Sequence, residues 1–195
     1  MRRGTYCRTI SENYCVLDLE TTGPSPCENE IIEIAMLRVR GGSVQQIFQT
    51  LVHPEHRISR FITNLTGISN EMVETSPAIE DVIGDAFQFL GEDLIVGHNV
   101  SFDLRFLSAA WGKDFDNPYA DTMQLSRKLF SRESYSLENL KAQFDIHCVS
   151  HRAQSDCEAT QILYELIRKK VREENICLRR GSTSLQNRKR CPVSH

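Results

Sequence analysis

The order of the apolar segments is the feature that most constrains how this chain can fold. Residues 14–20 and 31–40 have the composition of buried strands, and Gly41-Gly42 separates the second of them from a third strand at 44–52. After these three strands, helical patterns alternate with short apolar segments. Consecutive antiparallel strands followed by this alternation predict an α/β fold, with a mixed sheet between layers of helices.

The later elements are bounded by capping and stop signals. We expect short helical turns at 59–65 and 69–73, helices at 78–90, 102–111, 122–130, 137–144 and 153–174, and short strands at 94–97 and 119–121. Ser101 is placed to cap the helix that begins at Phe102, because a serine hydroxyl can accept a hydrogen bond from the first turn. We therefore expect one folded domain at 1–175 and a basic, mobile segment at 176–195.

Composition excludes several classes of protein. Of the 195 residues, 40% are hydrophobic and 25% are charged, which is ordinary for a globular protein and excludes a disordered or collagen-like chain. No stretch approaches the roughly 20 apolar residues of a membrane span, and the N-terminus lacks the apolar core of a secretory signal. Seven cysteines without a C-x2-C spacing favour free thiols, so we expect a cytoplasmic protein with no membrane partner.

Two acidic residues lie on a strand that is otherwise apolar. In Val16-Leu17-Asp18-Leu19-Glu20, the two-residue period of a strand puts Asp18 and Glu20 on one face, roughly 6.6 Å apart along the strand. A central strand gains no stability from two neighbouring carboxylates, because their charges repel each other. The pair therefore indicates a function.

Two helices repeat this pattern. Asp103 lies on the apolar stripe that contains Phe106, and Asp156 lies on the stripe that contains Leu163. Taken singly, an aspartate in the first turn is an ordinary helix N-terminal charge. Four acids that converge in one cleft need positive partners, however, and no lysine or arginine lies on these faces. Two divalent cations would balance the charge, and carboxylate oxygens favour Mg²⁺ or Mn²⁺ over zinc.

His151 stands five residues before Asp156, in the loop that enters the last helix. An imidazole can accept a proton near neutral pH, so His151 is a candidate general base. By position alone it could equally be a surface histidine of a loop.

The acids and His151 fall in three motifs, Asp18-Leu-Glu-Thr-Thr-Gly, His98-Asn-Val-Ser-Phe-Asp103 and His151-Arg-Ala-Gln-Ser-Asp156. Their order and separation resemble the three exonuclease motifs of the DnaQ-like DEDDh 3′–5′ exonucleases, over roughly residues 10–172. Within that family, the chain resembles the proofreading epsilon subunit of bacterial DNA polymerase III and the PolC exonuclease domain. The resemblance implies a ribonuclease H-like, three-layer α/β/α fold with a central mixed five-stranded sheet.

The resemblance also implies roles for individual residues, with His151 as the general base. The ligands expected to hold two Mg²⁺ or Mn²⁺ ions are Asp18, Glu20, Asp103 and Asp156. The residues expected to contact the 3′-terminal nucleotide are Leu19, Thr21, Thr22, Leu65, Thr66, Asn99 and Phe102. Phe61 and Thr66 stand where some epsilon subunits carry polar or ionisable contacts, so this side of the pocket differs from those relatives.

Three functions remain open at this point. The resemblance favours a metal-dependent 3′–5′ exonuclease that releases nucleoside 5′-monophosphates from single-stranded DNA ends and proofreads for a replicative DNA polymerase. A 3′–5′ exoribonuclease that trims RNA would use the same residues. A non-catalytic nucleic-acid-binding module is a third interpretation, against which the presence of all four acids and His151 argues.

The charge is distributed unevenly along the chain. The net charge is −3, yet residues 168–195 carry nine basic and two acidic residues. A basic C-terminal segment can bind a phosphate backbone or an acidic partner, and it can also be a solvated tail without a role.

Overall fold

A computed structural model describes residues 3–7, 10–148, 151–176 and 178. Within this part of the chain, six strands form one sheet. The strands are β1 (Arg3–Tyr6), β2 (Tyr14–Thr21), β3 (Ile31–Arg40), β4 (Ser43–Leu51), β5 (Ile95–Gly97) and β6 (Phe115–Asp121). The helices are α1 (Arg60–Thr66), α2 (Asn70–Val73), α3 (Ile79–Leu90), α4 (Ser101–Trp111), α5 (Thr122–Leu129), α6 (Leu137–Phe144) and α7 (Ala153–Glu173).

The sheet is mixed, with the strand order β1-β6-β5-β2-β3-β4. Strand β3 runs antiparallel to both β2 and β4, as the sequence predicts, and the pairs β2–β5, β5–β6 and β1–β6 are parallel. Gly41 and Gly42 join β3 to β4 with φ angles of 58° and 81°. This left-handed backbone is the one that a two-residue hairpin turn requires, and glycine adopts it without a steric penalty.

The expected count of five strands was one short. The additional strand is β1, which pairs with β6 through Thr5↔Pro118 and Tyr6↔Tyr119. Its sequence, Arg3-Gly-Thr-Tyr6, has no alternation of apolar and polar residues, so only the tertiary pairing with β6 makes it a strand.

The prediction that Ser101 caps a helix was also wrong. Ser101 is the first residue of α4, and no side chain caps this helix. The reason is that Val100 already has helical angles, with φ −55° and ψ −18°. The chain enters the helix through Asn99, whose φ of 60° makes the sharp turn after β5.

Two apolar layers enclose the sheet, and the alternation of side chains along β2 separates them. Tyr14 and Val16 belong to a core cluster with residues of α5, α6 and α7. Cys15, Leu17 and Leu19 belong to a second cluster with residues of α3 and α4. The three-layer α/β/α arrangement follows, with β2 at the centre of the sheet.

Most of the positively charged side chains in the C-terminal half of α7 form ion pairs with glutamates. Arg168 is only 3% exposed and lies close to Glu165 and Glu12. Lys170 pairs with Glu174 on the same helix. The basic segment expected at 176–195 lies outside the described residues, apart from positions 176 and 178.

Among the described residues, no helix combines the length and the apolar character needed to cross a bilayer.

Candidate active site

Three of the four predicted acids meet where β2 approaches the first turn of α7. Each of Asp18, Glu20 and Asp156 offers a carboxylate oxygen, and these oxygens lie within 4.8 Å of one another. Asp18 and Glu20 are two residues apart on β2 and so face the same side of the sheet. Asp156 lies in the first turn of α7, the helix that packs on this side.

Asp103 lies beside this group and is bound to β2. Its side chain is 4% exposed, and Oδ1 accepts a hydrogen bond of 3.1 Å from the backbone N–H of Leu19. This bond joins the first turn of α4 to β2 between Asp18 and Glu20. The structure therefore brings all four predicted acids to one strand, with Asp103 outside the tight group of three.

The acids raise one another's pKa values. Burial and then the charges of Asp103 and Asp156 raise the pKa of Asp18 well above its ordinary value. Burial, followed by the charge of Asp156, raises the pKa of Glu20 to about 7. Without a cation, the cluster therefore retains protons at pH values where isolated carboxylates are ionised.

The pKa of Asp156 is raised as well. Burial is the main cause, and it is opposed by the positive charge of Lys141. The Nζ atom of Lys141 lies 3.9 Å from Oδ1 of Asp156, too far for a hydrogen bond.

The donor set fits a hard divalent cation. Oδ1 of Asp156 is buried and accepts no hydrogen bond, which is costly for a carboxylate oxygen. A cation close to Asp18 and Glu20 would coordinate this oxygen and reverse the repulsion among the carboxylates. Oxygen ligands of this kind are those that Mg²⁺ and Mn²⁺ prefer.

His151 is held next to this group by its own backbone. The N–H of His151 donates a hydrogen bond of 3.0 Å to Oδ2 of Asp156. The residue has a left-handed φ of 58°, and its side chain is exposed. The candidate general base thus lies at the open side of the acidic group, where its ring can be reached by water.

Sequence comparison identifies the family. The exonuclease family's sequence profile matches residues 15–164. The epsilon subunit of DNA polymerase III from Aquifex aeolicus is 36% identical over 161 residues, which cover 80% of this chain and 80% of that protein. The chain belongs to the exonuclease family. The PolC-type DNA polymerase III of Bacillus subtilis is 38% identical to this chain over 172 residues, which cover 85% of the chain but only 12% of that much longer protein.

Solved structures share the fold of this chain. Exonuclease X, solved in complex with 5′ overhanging duplex DNA, has a TM-score of 0.67 and 28% identity, and the match covers 85% of this chain and 95% of that one. Exonuclease I of E. coli, solved with a dA16 oligonucleotide, has a TM-score of 0.72 and 18% identity, covering 82% and 41% of the two chains. The predicted ribonuclease H-like fold is therefore confirmed.

The predicted nucleotide contacts on β2 and just after it differ in their burial and hydrogen bonding. Leu19 is 5% exposed and packs in the core, so only its backbone borders the acids. The hydroxyl of Thr21 donates to the carbonyl of Gly23 over 2.8 Å. The hydroxyl of Thr22 accepts a hydrogen bond of 2.9 Å from the amide of Glu30. These bonds fix the bend after β2 and leave its backbone to border the site.

The predicted contacts on α1 differ in exposure. Leu65 is 42% exposed and its neighbour Phe61 is 74% exposed, which is unusual for large apolar side chains. Thr66 is 3% exposed, and its hydroxyl bonds the carbonyl of Ile62 and the amide of Ile68. The helix therefore presents Phe61 and Leu65 to solvent, while Thr66 secures its C-terminal end.

The predicted contacts at the start of α4 are accessible to different degrees. Asn99 is exposed, and its backbone N–H donates a hydrogen bond of 3.2 Å to Oδ1 of Asp121. Phe102 is partly buried, with its ring centroid 5.0 Å from that of Phe106. Both residues lie within four positions of Asp103, at the edge of the acidic group.

The sequence patterns did not single out one acid beside this group, Glu33. This residue is fully buried on β3 and lies directly opposite Glu20 in the strand register. Both oxygens of its carboxylate are bound by Arg152, the residue after the predicted general base. The signal was present in the sequence, because Glu33 interrupts an apolar strand in the same way as Asp18 and Glu20.

Proposed function

We propose that this chain is a metal-dependent 3′–5′ exonuclease that releases nucleoside 5′-monophosphates from single-stranded DNA ends. The observation that carries the proposal is the group formed by Asp18, Glu20 and Asp156, with the backbone of His151 bonded to it. Membership of the exonuclease family supports the reaction class. The relatives solved with an overhanging duplex and with dA16 support DNA as the substrate.

Two Mg²⁺ or Mn²⁺ ions complete the proposed site. Their ligands would be Asp18, Glu20, Asp103 and Asp156, and the unpartnered Oδ1 of Asp156 supports this assignment. When bound, such ions lower the pKa of water and stabilise the charge that develops on phosphate oxygens.

The chain's own residues would supply the proton transfer and the geometry. His151 takes a proton from the water whose oxygen bonds to the phosphorus of the terminal nucleotide. As that bond forms, the bond from phosphorus to the 3′ oxygen of the preceding nucleotide breaks, and that oxygen takes a proton from solvent water to become the new 3′ hydroxyl. The short link between His151 and Asp156 keeps the base next to the reacting phosphate.

The terminal nucleotide would lie against α1 and the start of α4. Phe61 and Leu65 are exposed apolar side chains, and an aromatic ring can stack on any base. Asn99 and Phe102 would contact the same nucleotide from the other side. Stacking without base-specific hydrogen bonds suits an enzyme that must remove every nucleotide in turn.

We further propose that the enzyme proofreads for a replicative DNA polymerase in the cytoplasm. The chain's similarity to an epsilon subunit and to PolC-type polymerases supports this proposal. The match covers only 12% of the length of the Bacillus subtilis polymerase. The described cysteines Cys7, Cys15, Cys27, Cys148 and Cys157 are free thiols, as suits a reducing compartment. Co-purification with a replicative polymerase would test the association directly.

Matched single-stranded DNA and RNA oligomers, each labelled at the 5′ end, test the activity. With Mg²⁺ or Mn²⁺ we expect a ladder of products shortened from the 3′ end, faster on DNA, and no products in EDTA or with Asp18→Ala. Faster shortening of RNA would identify an exoribonuclease instead. Binding without metal-dependent shortening would show that the chain is a non-catalytic module.

A further inference from the structure

Glu33 is a buried charge that the proposed mechanism does not use. We infer that Glu33 is a positioning residue: through Arg152 and the amide of Ala153, it fixes the first turn of α7, and with it His151 and Asp156, against the sheet. This inference rests on the proposed function, because it concerns the same site.

All acceptor positions of Glu33 are occupied. Oε1 accepts from Arg152 Nη2 over 2.9 Å and from Gln49 Nε2 over 2.8 Å. Oε2 accepts from Arg152 Nε over 3.2 Å and from the backbone N–H of Ala153 over 3.1 Å. With four hydrogen bonds on two oxygens, Glu33 has no lone pair left for a cation. It is therefore distinct in role from Glu20, which lies opposite it on β2.

These bonds keep Glu33 ionised although it is buried. Burial favours the neutral acid, yet the hydrogen bonds from Arg152, Gln49 and Ala153 together hold the pKa of Glu33 below its ordinary value. A bidentate guanidinium is rigid in a way that a lysine ammonium is not, so the pair fixes direction as well as distance. The carboxylate also accepts a hydrogen bond from the backbone N–H of Ala153, one of the N–H groups in the first turn of α7 that have no partner within the helix.

The positioned segment contains the reacting groups. Arg152 lies between His151 and Ala153, and its carbonyl accepts a hydrogen bond of 3.0 Å from the amide of Asp156. In turn, Oδ2 of Asp156 accepts a hydrogen bond from the backbone N–H of His151. A rigid anchor on β3 therefore sets the distance from the general base and one metal ligand to the two ligands on β2.

Glu33 also restrains a positive charge beside the metal ligands. Arg152 is bonded to Glu33, which lies directly opposite Glu20 in the strand register, and its positive charge opposes the rise in the pKa of Glu20. While Glu33 holds Nε and Nη2 of the guanidinium, Arg152 cannot turn to Glu20. If Glu33 is neutralised, Arg152 is free to pair with Glu20 and to compete with a cation there.

Three variants separate positioning from mere structural support. We expect Glu33→Gln to lower kcat by about 10–100-fold, the usual effect of losing a residue that orients a ligand, with KM for the oligomer within about threefold. We also expect Glu33→Gln to raise the half-saturating Mn²⁺ concentration. Arg152→Met should lower kcat but leave the half-saturating Mn²⁺ concentration unchanged. The double variant should have the kcat of either single one, because both changes break the same link.

Glu165→Gln is the matched control. It removes a carboxylate that binds another arginine, the buried Arg168, in the C-terminal half of α7 and away from the acidic group. We expect a loss of Tm similar to that of Glu33→Gln and no change in kcat. Equal effects of Glu33→Gln and Glu165→Gln on kcat would overturn the inference, as would losses in kcat that multiply in the double variant.

A second readout does not depend on turnover. Mn²⁺ raises the Tm of any folded variant that binds it, so the Mn²⁺ concentration dependence of Tm tests Glu33 even if nucleotides are not released. A higher Mn²⁺ requirement for Glu33→Gln, restored in Glu33→Gln/Arg152→Met, supports the inference. An unchanged requirement overturns it, while failure of the wild type to release nucleotides would count against the proposed function alone.

Discussion

The backbone amide of His151 is hydrogen-bonded to the side chain of Asp156, 3.0 Å away. The proposed base and a proposed metal ligand therefore lie on one short segment. The hydrogen bond between them joins the backbone of His151 to the side chain of Asp156. The imidazole itself takes no part in this bond. Replacing the ring and replacing the carboxylate should have separable consequences.

His151→Ala should leave the metal site in place and impair only the chemistry. We expect kcat to fall by about 10²–10⁴-fold, the usual contribution of a general base. The increase in Tm caused by Mn²⁺ should stay close to that of the wild type, because the backbone amide still binds Asp156. Steady-state kinetics and thermal unfolding with and without Mn²⁺ check both parts. A lost Mn²⁺ response would assign the imidazole to metal binding instead.

Asp18→Asn should abolish hydrolysis and yet stabilise the metal-free protein. The pKa of Asp18 is raised by burial and by neighbouring negative charges, so removing its charge relieves repulsion in the folded state. Thermal unfolding in EDTA should show a higher Tm than the wild type, with no further increase on adding Mn²⁺. Asp93→Asn provides the contrast, because Asp93 pairs with Arg38 and Arg40 and its loss should lower the Tm. A lower Tm for Asp18→Asn would contradict the repulsion.

Stability and metal binding should depend on pH in opposite directions. The pKa of Glu20 rises from an ordinary 4.5 to about 7 on folding. Its favourable contribution to the metal-free protein is therefore complete below pH 4.5 and is lost as the pH rises through about 7. A cation must displace this proton, so the apparent Mn²⁺ affinity should increase with pH up to about 7, by up to about tenfold per pH unit. Tm measured against pH and Mn²⁺ concentration tests both trends, and both should be weaker in Glu20→Gln.

Phe61→Ala should weaken binding of the nucleotide without weakening the fold. The ring is 74% exposed, so its removal creates no cavity. Stacking of a base on an aromatic ring contributes about 1–3 kcal/mol, and we expect KM for a single-stranded oligomer to rise accordingly. Met72→Ala removes another exposed apolar side chain, on α2, and should change neither KM nor Tm. An unchanged KM for Phe61→Ala would exclude Phe61 from the substrate surface.

Local patterns predicted most of the elements and the acids, because burial on both sides of β2 makes a carboxylate conspicuous in the sequence. The same patterns could not predict β1, which becomes a strand only by pairing with β6. They also counted Arg168 among the charges of a basic segment. In the folded chain that residue is buried against Glu165, and it is held by a helix. Which charges remain available to a partner depends on tertiary contacts that composition does not contain.

Glu33 shows a different limit of sequence reasoning. Its position in an apolar strand marked it as unusual, but its partner Arg152 lies 119 residues away. Nothing in the spacing indicates that the two meet. The role of such a residue follows only from the hydrogen bonds that it accepts.

The hydrogen bond from Leu19 to Asp103 also shields one backbone amide at the centre of the sheet. Strand β5 pairs with β2 at Cys15 and Val16 and ends at Gly97, so beyond this point the carboxylate of Asp103 takes the place of a strand neighbour. The amide proton of Leu19 is therefore protected from exchange with solvent by a side chain that is also expected to bind metal. In Asp103→Ala that proton should exchange faster than its neighbours on β2. Hydrogen exchange at one backbone position would then report on the state of the catalytic acids.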